Sequence, residues 1–198
     1  MKETGVILKN YLPAKYKVAI LNERGERFEA LAALPAHIEK LRPGYQISYS
    51  LGSGATIAKL VDVEIVAIPK AISYESLQFL HQFIELCLLT IPEGHISIEV
   101  VDLLKILLNG NTNDWSVPQR RLLICVLLAV LGFYPELALN EYDLVYTVGE
   151  IGKITSVDFF QFKIDVKTDR VLVKWITNFI NTNVSPRLAG LFATVYQN

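Results

Sequence analysis

Apolar and polar residues alternate along the first third of the chain and recur every three or four positions along most of the rest. "KYKVAILN" sets Tyr16, Val18 and Ile20 on one side and Lys15, Lys17 and Ala19 on the other, the two-residue period of a strand. "TGVILKN" before it is short and β-branched, and "RFEALA" after it puts Phe28 and Ala30 on one face. "NERGER" predicts a hairpin turn, because Gly25 reaches positive φ without a steric penalty. "YQISYS" reads as a fourth strand, "LGSG" as a turn and "ATIAKLVDVEIVAI" as a long fifth strand. "LPAHIEKLRPG" leaves room for one short helical turn between the third and fourth. This order predicts a small closed barrel, SH3-like or OB-like. The long last strand favours the OB form, since it can serve two sheet edges.

After Pro69 the period lengthens. "SYESLQFLHQFIELCLL" spaces Leu77, Leu80, Ile84 and Leu88 at three and four, with Ser73 or Ser76 placed to cap the helix start. "SIEVVDLLKILLNG" predicts a second helix, begun at Ser97 and stopped at Asn109–Gly110. "VPQRRLLICVLLAVLG" predicts a third, with Pro118 in its first turn and Gly132 as its stop. That helix is apolar on nearly every face, which places it inside a bundle. "RVLVKWITNFINTN" and "PRLAGLFATVYQ" predict two closing helices. Residues 138–160 have mixed β character with turns at Gly149 and Gly152, compatible with a β-hairpin insertion. The pattern as a whole predicts an α+β chain: a five-stranded OB-like barrel over residues 1–69, then a mainly helical domain over 70–198.

Composition sharpens this little. Hydrophobic residues make up 52% and charged residues 20% of the 198, enough for a sizeable core. The run Leu122–Leu131 is too short to span a bilayer, which takes roughly 20 apolar residues, and Gly132 and Pro135 close it. "MKETGVILKN" has no apolar core of a signal peptide, so a cytoplasmic protein is expected. Cys87 and Cys125 each sit in an apolar run and read as buried free thiols.

No catalytic constellation emerges. His37, His81 and His95 are scattered, and Glu85, one turn after His81, has no third ligand beside it, so neither metal nor cofactor is expected. "LGSGAT" lacks the Lys-Ser/Thr ending of a phosphate loop and leads into a strand. The net charge of −1 gives no global pull towards nucleic acid. Locally the balance differs: residues 1–80 hold ten Lys/Arg against eight Asp/Glu, and the remainder nine against twelve. In the barrel segment, basic and aromatic residues interleave, as single-stranded nucleic acid requires: cations for phosphates and flat rings for bases.

Several of these stretches resemble the bacterial DNA repair protein RecO family. "TGVILKNYLPAKYKVAILNERGERFEALA" is similar to the family's opening strands and hairpin, with Gly25 at the turn. "LRPGYQISYSLGSGATIAKLVDVEIV" is similar to its later barrel strands. "LLAVLGFYPEL" resembles the family's helix ending in Leu-Gly-Tyr or Leu-Gly-Phe followed by Pro and Leu. The resemblance spans about two-thirds of the chain and is most specific at Leu131–Leu137. It implies an OB fold with a helical domain, acting as a recombination mediator without enzymatic activity. It also implies binding to single- and double-stranded DNA, with RecR and single-stranded DNA-binding protein as partners. Many members carry four zinc-binding cysteines after this segment; "ALNEYDLVYTVGEIGKITSVDFF" has none, so a metal-free insertion is expected there.

The candidate nucleic-acid contacts are Lys15, Lys17, Arg24, Arg27, Lys40 and Arg42, with Tyr16 and Tyr45 as stacking rings. Arg120 and Arg121 either extend the basic surface or form a solvated helix start. The alternative to a DNA-binding mediator is an interaction scaffold whose barrel binds protein.

Overall fold

The computed structural model describes residues 2–11, 16–32, 40–52, 58–70, 73–110, 115–135, 148–151, 153 and 165–195, with 191–195 as backbone only. Five strands close a barrel: β1 (Glu3–Asn10), β2 (Lys17–Asn22), β3 (Arg27–Ala32), β4 (Gln46–Gly52) and β5 (Ala58–Ala67). Their order around the barrel is β1-β2-β3-β5-β4. β1 pairs antiparallel with β2 and with β4, and the barrel shuts through a short parallel ladder between β3 and β5, Ala30 opposite Ala58. This is the five-stranded closed barrel expected from the pattern, with β5 indeed serving two edges.

The interior is apolar: Ile7, Val18, Ile20, Ala30, Leu41, Ile47, Tyr49 and Leu60 form one buried cluster. The registers Ser50↔Val61 and Ser48↔Glu64 leave Asp62 and Val63 opposite the single residue Tyr49, a β-bulge. Asp62 takes φ 51° there.

β2 departs from simple alternation, since every residue from Val18 to Asn22 is buried. Its inward face is the expected one, with Val18 and Ile20 in the core. Its outward face is covered too, as is that of β1, where Leu8 lies 2% exposed. The cover includes α1 (Tyr74–Thr90), which packs on β1. Ser73 caps α1, its hydroxyl accepting the Ser76 N–H at 3.1 Å. Helix α1 is buried on several sides through Phe79, Phe83, Leu86 and Cys87. Each such phenylalanine or leucine side chain contributes about 1.5–3 kcal/mol on burial.

The loop after α1 locks onto the β2–β3 hairpin. Gly25 sits at φ 84°, and its carbonyl accepts the Ser97 N–H at 2.9 Å. Arg27 N–H donates to the His95 carbonyl at 3.3 Å, and Gly94 N–H donates back to Arg27 at 2.8 Å. Residues 94–97 thereby cover the outer edge of β3 at its start. α2 (Ile98–Asn109) follows directly, with Ser97 at its N-cap. Gly110 ends it as expected, but at φ −73° rather than in the left-handed region.

Residues 1–112 form one compact unit and 113–198 another. The change of period at Pro69 thus marks where strands give way to helices, while the first compact unit continues through α1 and α2.

In the second unit, α3 (Val117–Val130) is buried continuously from Leu122 to Ala129, as its all-round apolar sequence predicts. It ends at Gly132, φ 82°. Gly132 and Phe133 N–H groups donate to Ala129 and Leu128 carbonyls, a Schellman close. Phe133 then lies 4.8 Å from the Phe179 ring of α4 (Val166–Asn183). α4 begins four residues before the expected Arg170, because Asp165 caps it. α5 (Pro186–Val195) starts at Pro186 as expected. Residues 148–151 are helical, so the chain does not make a hairpin turn at Gly149; apart from Lys153, the rest of the proposed insertion lies outside the described residues. No helix among the described residues is long and apolar enough to cross a membrane.

Candidate nucleic-acid interface

The barrel has two chemically different ends. At the first, the close of β1, the start of β2 and the close of β3 meet. Tyr11 N–H donates to the Lys17 carbonyl at 3.0 Å and Ala32 N–H to the Tyr16 carbonyl at 3.1 Å. Asn10 Nδ2 donates to the Leu41 carbonyl at 3.0 Å, which brings the neighbouring Lys40 and Arg42 to this end. Here the Tyr11 ring has two ammonium groups over it, Lys9 Nζ at 5.0 Å and Lys17 Nζ at 5.6 Å from its centroid. Each such cation–π contact contributes about 0.5–1 kcal/mol at exposed sites. Lys17 also pairs with Glu29, and the Tyr11 hydroxyl donates to the same carboxylate at 2.6 Å. Tyr16 stands beside this group with 53% of its surface open.

The second end lies a strand's length away, about 17 Å along β2 at roughly 3.3 Å per residue. It is acidic. Glu3, Glu23 and Glu26 gather around the Tyr49 phenol, whose pKa is pushed up, first by burial and then by these carboxylates. Arg24 lies 3.8 Å from Glu3. The Arg27 guanidinium donates to the Ile91 carbonyl, fastening the loop after α1.

The candidate residues therefore separate. Lys17, Lys40, Arg42 and Tyr16 share the first end with Lys9 and Tyr11. Arg24 and Arg27 belong to the acidic end, where Arg27 has a structural task. Tyr45 is half-buried and packs against the barrel's core cluster. Lys15 lies outside the described residues. Arg120 is 5% exposed, and Arg121 pairs with Asp169 of α4 inside the second unit. Neither extends a basic surface nor begins a solvated helix.

Lys9 and Tyr11 belong to the interleaved basic and aromatic residues of the barrel segment, but the sequence does not single them out as contacts. Their signal is the β1–β2 register, which returns the chain so that Lys9 lies opposite Ala19 and Asn10 opposite Val18; the alternation of either strand alone does not contain it.

Cys87 and Cys125 are free and fully buried, and burial raises both thiol pKa values. Neither is a nucleophile at neutral pH. Among the described residues, no cluster of His, Cys, Asp or Glu could hold a metal ion.

No protein-family model matches the chain, and no curated protein matches it.

Proposed function

We propose that this protein is a RecO-like recombination mediator: a cytoplasmic, non-enzymatic DNA-binding protein that acts with partner repair proteins of the RecR and single-stranded DNA-binding kinds. The observation that carries the reading is the first barrel end. A closed OB-order barrel presents Lys9 and Lys17 there over Tyr11, with Lys40 and Arg42 flanking the Leu41 that Asn10 holds at the same end and the exposed Tyr16 ring beside them. Cations at the spacing of adjacent strands suit a phosphate backbone, and an open ring suits an unstacked base. The contact surface is narrower than the full set of basic residues, because Arg24 and Arg27 lie at the acidic end.

A second reading, a protein-binding scaffold, draws on one specific fact. Glu29 neutralises Lys17 within the basic end itself.

Titration of labelled single-stranded DNA at two salt concentrations separates the two. The slope of log affinity against log salt is roughly −0.7 per phosphate neutralised, so engagement of Lys9, Lys17, Lys40 and Arg42 together gives about −3. Lys9→Glu flattens that slope and weakens binding. Tyr16→Ala weakens binding with the slope unchanged, since stacking releases no counterions; the loss is about 1–3 kcal/mol per base. Absence of binding at low salt would leave the scaffold.

A further inference from the structure

We infer that a slot between the barrel wall and α2, at the acidic end, docks a partner polypeptide segment that carries one apolar side chain next to a lysine or arginine. The helical cover on β1 and β2 is incomplete. Where it stops, a cleft of about 130 Å³ remains in the first unit. Val6 and Leu21 line it from β1 and β2, Val66 from β5 and Val101 from α2. An engineered cavity of about 150 Å³ lined by aliphatic side chains stays dry and takes up benzene, so this slot suits one leucine or phenylalanine side chain.

The charge around it decides what the anchor is attached to. Glu23 lines the slot, its carboxylate held by the Thr4 hydroxyl at 2.6 Å. Glu3 and Glu26 stand close behind, around the same Tyr49 hydroxyl. The cation at the lining, Lys105, is balanced by Asp102 one turn earlier at 3.0 Å. Arg24, 3.8 Å from Glu3, offsets that carboxylate, and Arg27 is turned to the Ile91 carbonyl, so Glu23 and Glu26 leave an arriving segment a negative rim. A basic residue flanking the anchor gains attraction there, and an acidic one is repelled. Val66, 59% exposed, leaves one wall open for entry. An apolar anchor in a pocket with a charged rim is the usual anatomy of a small docking site.

This goes beyond the DNA reading and stands apart from it, since Tyr16 and the slot lie at opposite ends of the barrel. Failure of DNA binding leaves the slot proposal standing, and the converse also holds.

The test uses the full chain and a short fluorescently labelled peptide with one leucine flanked by arginines, followed by anisotropy. Saturable binding is expected at low salt. It weakens at least tenfold when alanine replaces the leucine, and severalfold with Glu23→Gln or with added salt. Val66→Trp and Lys105→Trp fill the slot from opposite walls, both from exposed positions, and each abolishes binding. No saturable binding, equal binding of a peptide with glutamates for arginines, or full binding by either tryptophan variant overturns the proposal.

Discussion

Gly25 shows how much one residue can carry. Its positive φ makes the turn, but its lack of a side chain matters equally. A Cβ at that position would lie 2.3 Å from the Ser97 carbonyl carbon and 2.6 Å from the Ile98 nitrogen, both backbone atoms that cannot rotate away. Gly25→Ala is therefore expected to cost about 1–3 kcal/mol, from backbone strain and the lost seam together. Urea denaturation measures it; a loss below about 0.5 kcal/mol, the size of an ordinary surface substitution, would mean the seam is not under this constraint. The turn was legible from "NERGER", but the contact with Ser97 was not, because nothing local in either segment encodes the approach of residues so far apart. The same holds for Arg120 and Arg121. Next to Pro118 at a helix start they look like surface charges, and only the fold shows Arg121 paired with Asp169 across two helices.

Elements with a clean period were the most legible. α1 needed only its three- and four-residue spacing and α3 its all-round apolar run between Pro118 and Gly132, and the caps at Ser73 and Gly132 fell where capping chemistry puts them. β2 was half legible: its inward face showed in the alternation, while the burial of Ala19 and Leu21 on its outward face is nothing a strand pattern announces. The start of α4 was missed because Asp165, followed by Val166 and Lys167, interrupts no apolar stripe, yet its carboxylate accepts the Lys167 and Thr168 N–H groups at 2.9 and 3.0 Å. Hydrogen bonds, first that from the Thr168 hydroxyl, hold the Asp165 pKa below the ordinary carboxylate value. A depressed pKa means the cap stabilises fully above the unfolded-state value, about 3.9, and its contribution fades as pH falls through the lower folded value. Asp165→Asn keeps an acceptor but cannot titrate. The stability difference between wild type and Asp165→Asn should hold constant at pH 5 to 7 and shift against wild type below about pH 4. Thermal melts across that range read it, and a difference independent of pH would remove the carboxylate from the account.

For the whole molecule, the compact units at 1–112 and 113–198 give a sharper cutting rule than the period change at Pro69. A barrel ending near residue 70 would expose the outward faces of β1 and β2 and lose the strand-like cover of residues 94–97. A fragment of residues 1–112 is expected to melt cooperatively, and one of residues 1–70 to aggregate or melt without cooperativity. Calorimetry on the two decides it, and equal cooperativity would show that α1 and α2 are dispensable. The candidate site was legible at this scale only as composition. Sequence showed a mildly basic first half rich in tyrosine; it did not show that the strands sort Lys9 and Lys17 to one end and Glu3, Glu23 and Glu26 to the other. Among the described residues that sorting leaves the two ends with opposite surplus charge, reduced by Glu29 at one and by Arg24 at the other. On the DNA-binding reading proposed above, such a charge difference would orient an approaching polyanion before contact.

The seam between the hairpin and residues 94–97 also sets a clock on synthesis. Arg27 waits for its carbonyl partners at His95 and Ile91 until the chain has grown by more than sixty residues. At roughly 5–20 residues per second that is on the order of several seconds, during which the start of β3 is an open edge on the nascent chain. A ribosomal pause between Arg27 and Ser97 would prolong that interval, in which the start of β3 lacks its partners.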